Sequence, residues 1–201
     1  MGYYLFSNGI KTDKIQAVFG SKDQALLQEV EESSAFDNYG HFTIEDIETN
    51  TYKALEHIIN GTPQDTQAGF AYGYAIVCLC DVLGAPLPNY HEIKLGVETD
   101  LIKTYLKEDF GINDIDLPLI LLADNTNPFP IPAIEDWPVI GLVKTADLAL
   151  LCKELEAVKI TDEQLEGLDE EKEFIYEHIR EFIENIQFCV KNDLDLITFC
   201  H

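Results

Sequence analysis

Between Ala68 and Cys80 the chain runs for thirteen residues without a charge, and Gly69 and Gly73 lie inside that run. At about 100° per residue the apolar side chains cover the whole circumference of a helix, so residues 67–83 read as a helix buried on every side and ended by Gly84. Such a helix must be wrapped by other elements. The run falls short of the roughly 18–20 residues that a membrane-spanning helix needs. Gly69 and Gly73 stack on one face, where each costs about 1 kcal/mol relative to alanine. Something must approach closely enough to require them, either a neighbouring backbone or a ligand. Tight packing is the favoured explanation. The alternative is a small-molecule pocket edged by Phe70, Tyr72 and Tyr74, since buried tyrosine hydroxyls need partners. No Gly-Lys-Ser/Thr follows, which removes a phosphate loop.

The flanking sequence punctuates itself around that helix. Residues 3–6 read as an opening strand ended by Ser7-Asn8-Gly9, and Thr12–Phe19 as a short helix stopped by Gly20. Ser21 with Gln24 forms a capping-box pattern opening Lys22–Glu32. Thr51 is placed to cap Tyr52–Ile59, which stops at Asn60-Gly61. Val97–Glu108 is amphipathic, and Pro118–Ala123 reads as a short buried strand. Asn125–Gly141 carries four prolines and must be an irregular connector, strapping Phe129, Ile131 and Trp137 onto the core. Thr145 and Thr161 each cap a further helix or turn, 169–190 is the longest helix, and Leu194–Cys200 is a last strand. The expected architecture is a single α+β domain over residues 1–201, dominated by helices, with an acidic helical portion from about residue 161.

Charge narrows the function. The 201 residues hold 13 basic and 37 acidic side chains, a formal charge of −24. By stretch the charge is −6 over 1–60, −6 over 61–120, −3 over 121–160 and −9 over 161–201. Nucleic-acid binding needs a basic stripe against phosphates, and no stretch is basic. Arg180 is the only arginine, which argues against a phosphate clamp, and an anionic membrane would repel the chain. A basic protein is the partner that fits. The first residues lack the charged and apolar regions of a signal peptide, so a cytoplasmic location is expected. Five cysteines are an odd count, and Cys78 and Cys80 read as buried free thiols.

In the 169–190 helix, Ile175, Ile179, Phe182, Ile183 and Ile186 share one face. Glu170, Glu173, Glu177, Glu181 and Glu184 line the opposite one. That row is either a solvated face or a dock for a basic partner. Metal chemistry has little to build on. Cys78 and Cys80 point about 200° apart on a helix, and no zinc-type spacing occurs. Asp114-x-Asp116 and Asp193-x-Asp195 offer two oxygens each to a hard cation but do not continue into a calcium loop. No Gly-x-Ser-x-Gly elbow is present, and His57 and His178 lie on or beside packed helix faces where histidines are usually structural. No catalytic residue, metal site or cofactor is assigned.

Several segments together resemble a bacterial domain family of unknown function. They are Gly20-Ser21-Lys22-Asp23 before Ala25-Leu26-Leu27, Ala54-Leu55 with Ile58-Ile59, the Gly69–Ala75 segment, and Pro130-Ile131-Pro132 followed by Asp136-Trp137-Pro138. The resemblance spans roughly residues 3–140 and implies a stand-alone bacterial cytoplasmic protein with no activity to carry over. The expected function is therefore non-enzymatic: binding of a protein partner through an acidic surface, as an immunity protein or inhibitor would. The competing expectation is a small-molecule binder or hydrolase with a pocket near Tyr72 and Tyr74. The residues leave the oligomeric state open.

Overall fold

The computed structural model describes residues 2–90, 92–122 and 128–201. Ala123 of the expected strand and residues 125–127 of the expected connector lie outside the described residues. Among the described residues the fold is α+β, with helices dominating. Its strands are β1 (Tyr4–Ile10), β2 (Ile93–Lys94), β3 (Val139–Val143) and β4 (Asp195–Cys200), ordered β2-β1-β4-β3 in one sheet. The chain divides into two compact units, each drawn from three stretches: 1–9, 86–123 and 142–198, and 10–85, 124–141 and 199–201.

The second unit is built on the apolar run. Helices α1 (Thr12–Val18), α2 (Gln24–Glu31), α3 (Ser34–Tyr39) and α4 (Thr51–Asn60) all pack against α5 (Gly69–Leu83). Every residue of α5 from Gly69 to Cys80 is buried, as an all-round apolar helix requires. The glycines are explained by the proline connector. A Cβ on Gly69 would run into the carbonyl oxygen of Ala133 and come within 2.8 Å of its carbonyl carbon. A Cβ on Gly73 would meet Ile134 Cδ1 and Pro138 Cδ at 2.8 Å. The connector thus lies directly on the glycine face of α5, its Phe129 buried and its Ile131 and Trp137 half-buried. At the end of α4, Gly61 takes the left-handed conformation (φ 67°) that a C-cap needs. Gly20 and Lys22 donate backbone N–H groups to the Ile58 and Ile59 carbonyls, which satisfies two acceptors that the helix end leaves open.

In the first unit α6 (Val97–Phe110), α8 (Thr145–Glu154) and α9 (Asp162–Leu165) pack on the long α10 (Glu170–Lys191), and α7 (Leu117–Leu121) packs on α6. Tyr4 and Leu5 of β1 face Lys94 and Ile93 in an antiparallel ladder.

Five local expectations are corrected. Thr145 does not cap α8: it is the helix's first residue after Lys144, and its N–H and hydroxyl both donate to Asp195. Residues 117–121 form a helical turn, not a strand: Asp116 accepts from the Leu119 N–H, and Pro118 occupies the first turn, where its missing N–H costs nothing. Strand β1 does not stop at Ser7-Asn8-Gly9. Ser7 Oγ lies 2.8 Å from Thr198 Oγ1, and Gly9 sits where a Cβ would touch Leu87, Cys189 and Leu194. Helix α2 is capped by Asp23, which accepts from Ala25 and Leu26, instead of by Ser21. Helix α4 is capped by Asn50, which accepts from Lys53, while Thr51 is buried one residue inside. In both helices the carboxylate or amide reaches N–H groups that the hydroxyl-bearing neighbour does not.

Gly69→Ala is expected to destabilise the fold by about 2–3 kcal/mol, because a rigid backbone carbonyl must move. Gly73→Ala should cost less, since its clashes are with side-chain atoms: Ile134 can rotate away, and only the Pro138 ring, which cannot, must shift by a few tenths of an ångström. Urea unfolding of both variants measures the difference, and equal stability of Gly69→Ala and the parent chain would show that the connector is not seated there.

Candidate functional site

The three aromatic candidates of α5 point to two different sides of the helix. Tyr72 and Tyr74 are two residues apart, hence about 200° apart on the helix. Phe70 and Tyr74 point into an aromatic cluster. Tyr74 stacks on Tyr39 at 5.0 Å between ring centroids, and Phe42 meets Tyr74 at 5.0 Å and Phe70 at 5.8 Å. His201 stands edge-on to Tyr39, and its Nε2 lies 3.1 Å from the Tyr39 hydroxyl. Burial, with Asp136 adding to it, pushes the Tyr74 hydroxyl above its ordinary pKa.

Tyr72 turns the other way. It is fully buried, but its hydroxyl reaches His57 Nδ1 on α4 at 2.7 Å and accepts the backbone N–H of Asp65 at 2.8 Å. Asp65 in turn accepts the Thr49 hydroxyl at 2.9 Å and the Gln67 N–H at 3.0 Å, the second closing an Asx-type turn just before α5. The Gln67 N–H and then the Thr49 hydroxyl hold the Asp65 carboxyl below its usual range, with partial burial opposing them and His57 adding a further pull. Burial chiefly raises the Tyr72 hydroxyl.

This network lies under an open cleft of about 540 Å³ in the second unit. Asp46, Glu48, Glu56 and Asp65 line it, with Lys53 and His57 among them. Four carboxylates against one lysine make the cleft acidic, and two of its groups are already fixed: Asp65 by its hydrogen bonds and His57 by Tyr72. Sequence reasoning missed these carboxylates because they were counted only in the net charge. The available signal was local. Asp65 follows Pro63 and precedes the apolar run by a few residues, the place for a turn-forming Asx.

The acidic row of α10 is less open than its spacing implies. Glu170 and Glu184 are exposed, whereas Glu173, Glu177 and Glu181 are half-buried. Glu184 accepts from Asn89 Nδ2 at 2.7 Å. Burial, then Glu177, raises the Glu181 carboxyl, while Arg180 pulls it down. Arg180 itself binds Asp162 at 2.6 Å. His178 is buried with Glu98 at 3.7 Å and Glu181 at 4.0 Å. Of the aspartate pairs, Asp116 caps α7 and binds Lys103 at 2.6 Å, and Asp195 accepts from the Thr145 N–H and from Lys144. Among the described residues no three His, Cys, Asp or Glu side chains gather as a metal-binding group. Cys78, Cys80, Cys189 and Cys200 are buried free thiols. Burial pushes Cys78 and Cys189 up to about 12 and Cys200 up to about 11, so none is a thiolate nucleophile near neutral pH.

Tyr72→Phe removes the acceptor of the Asp65 N–H and the partner of His57 together. It is expected to cost about 1–3 kcal/mol in urea unfolding. A silent substitution would mean that neither group depends on the hydroxyl. Asp65 has a lowered folded-state pKa, so its contribution is present above about pH 4–5 and fades as pH falls through the folded value. The stability gap between the parent chain and Asp65→Asn should therefore hold from pH 8 to about pH 5 and narrow below about pH 4. A gap independent of pH would place the loss in shape, not in charge.

Among the described residues no helix is long and apolar enough to cross a membrane. No curated protein and no solved structure matches the chain. A family model described as Domain of unknown function (DUF7691) matches residues 1–201, so the match continues through the acidic C-terminal third, beyond the 3–140 over which the motifs run. The chain belongs to the DUF7691 family.

Proposed function

We propose that this chain is a non-enzymatic cytoplasmic binding protein of bacterial type, whose partner is a basic protein and whose principal contact is the acidic cleft beside α4 and α5. The observation that supports this reading is the preorganised Asp65–Tyr72–His57 network under a cleft with three further carboxylates. A carboxylate already held in place by the fold loses little freedom when a cation arrives, which favours binding. Long-range attraction by a −24 chain would speed the encounter with a basic partner. Glu170, Glu173, Glu177, Glu181 and Glu184 of α10 serve as a secondary acidic surface, with Glu170 and Glu184 its accessible members. An immunity- or inhibitor-like role fits such chemistry.

Affinity capture from the source organism's lysate tests the reading. It is run at about 50 mM and about 500 mM salt, across which the Debye length falls from roughly 14 Å to about 4 Å. A single basic protein, held at low salt and released at high salt, is the expected catch. Replacing Asp46, Glu48 and Glu56 by Gln should lower its yield about tenfold, and replacing Glu170 and Glu184 should lower it far less. Undiminished capture by the cleft variant would sink the assignment of the cleft. An empty column at both salts would shift the same cleft to a small cationic ligand, the second reading, which the His57–Tyr72 contact at its floor favours.

A further inference from the structure

A second concavity, of about 240 Å³, lies in the first unit between α10 and the segment that joins α8 to α9. On α10 its wall is Arg180, Ile183, Glu184 and Gln187, whose i, i+3, i+4 and i+7 spacing puts them on one stripe. The facing wall is Val158, Lys159, Ile160 and Thr161. Val158 and Ile183 are buried and Ile160 is half-buried, which gives the groove an apolar part. Lys159 and Arg180 bring two positive charges to it, beside a stretch, 161–201, whose net charge is −9. Neither cation is consumed by the fold. Among the described residues Arg180 is hydrogen-bonded to Asp162 alone, at 2.6 Å through Nη1. The Asp162 side chain is 88 % exposed, and a pair so open to water is weak and readily exchanged. The other N–H groups of the guanidinium fork are left for a further acceptor. Lys159 is exposed and makes no ion pair among the described residues. Lys172, by contrast, is engaged by Asp109 at 2.8 Å. Glu184, the carboxylate that lines the groove, accepts from Asn89 Nδ2 at 2.7 Å.

We infer that this groove binds a small organic carboxylate with a short apolar chain. Arg180 takes the carboxylate through its fork, Lys159 adds a second positive charge, and Val158, Ile160 and Ile183 cover the chain. Guanidinium and carboxylate match in plane and in donor spacing, and the Asp162 contact shows this arginine already accepting a carboxylate. Charge complementarity fixes the ligand class. A neutral apolar molecule gives the two cations no partner, and a bare inorganic anion leaves the apolar side chains in water. A phosphate dianion would also face repulsion from Asp162, which binds Arg180, and from Glu184, one helical turn away from it. The site stands independently of the acidic cleft, whose residues belong to the second unit.

Hexanoate is the probe, titrated at low salt into the full chain with its isoleucine methyl groups labelled for nuclear magnetic resonance. Acetate, inorganic phosphate and hexanol are the comparisons. Hexanoate should shift the Ile160 and Ile183 signals saturably, with a Kd on the order of 1 mM. Each comparison compound should bind about tenfold more weakly. Arg180→Gln should weaken hexanoate binding about tenfold, and Lys159→Gln about two- to threefold. Neither side chain is buried, and the isoleucine spectrum of each variant reports directly whether its fold is intact. Equal affinity for hexanol overturns the role of the carboxylate. Tighter binding of phosphate than of hexanoate overturns the role of the apolar walls. Shifts confined to other isoleucines, or affinity unchanged by Arg180→Gln in a folded variant, overturn the placement. No saturable shift at about ten times the expected Kd overturns the inference outright.

Discussion

A backbone carbonyl seated against a helix that has no side chain at that point governs the second unit. Ala133 occupies the space that any Cβ at position 69 would fill, and Ile134 and Pro138 crowd position 73 one turn later. The contact ties the two oddest stretches of the sequence to each other: the glycines of the apolar helix and the prolines of the connector. It also sets the rotation of α5. With the glycine face committed to the connector, Phe70 and Tyr74 must face one side and Tyr72 the other, because 100° steps leave no alternative. Tyr72 is thereby delivered to His57 and Asp65, and Tyr74 to Tyr39 and Phe42. The polar network under the cleft and the aromatic support behind Phe42 are two consequences of a single packing constraint.

The surplus of acid is partly structural. Asp23, Asp116 and Asp169 cap α2, α7 and α10, and Asp195 accepts the first N–H of α8. A carboxylate at a helix N-terminus satisfies an open donor and complements the helix dipole, so these charges stabilise the fold whether or not a partner exists. Asp109 is likewise occupied, by Lys172 at 2.8 Å and the Tyr176 hydroxyl at 2.7 Å. Net charge alone is therefore a blunt indicator of binding. The informative carboxylates are those that line a concavity and cap nothing, and Asp46, Glu48 and Glu56 meet that description.

Helix positions were legible wherever a period and a stop signal coincided. The all-round apolar run became α5, Asn60-Gly61 ended α4, Thr161 opened α9, and the isoleucine face of α10 is buried as its spacing requires. The misread segments share a physical origin. Pro118–Leu121 is too short for periodicity to distinguish a strand from a helical turn, and only the Asp116 cap decides it. Helix α3 has six residues and escapes a search that needs two turns. The aromatic trio was grouped by proximity in sequence, although the 200° that parts Cys78 from Cys80 parts Tyr72 from Tyr74 as well. The cleft was invisible for a different reason. Its residues come from a loop, from α4 and from the approach to α5, and no one-dimensional spacing links them.

Comparing the two acidic surfaces shows why concavity outweighs number. The α10 row holds five glutamates, yet Glu173, Glu177 and Glu181 are half-buried and Glu184 is engaged by Asn89. Burial raises the Glu181 carboxyl, so its ionised form is less favoured there than at a fully solvated glutamate. At Asp65, in the cleft, the sign is reversed. Hydrogen bonds lower Asp65, its charge is held firmly at neutral pH, and the concave wall gathers several carboxylates around one space. Carboxylates gathered round a concavity can face one charge together, whereas a row spread along a helix presents its charges one or two at a time.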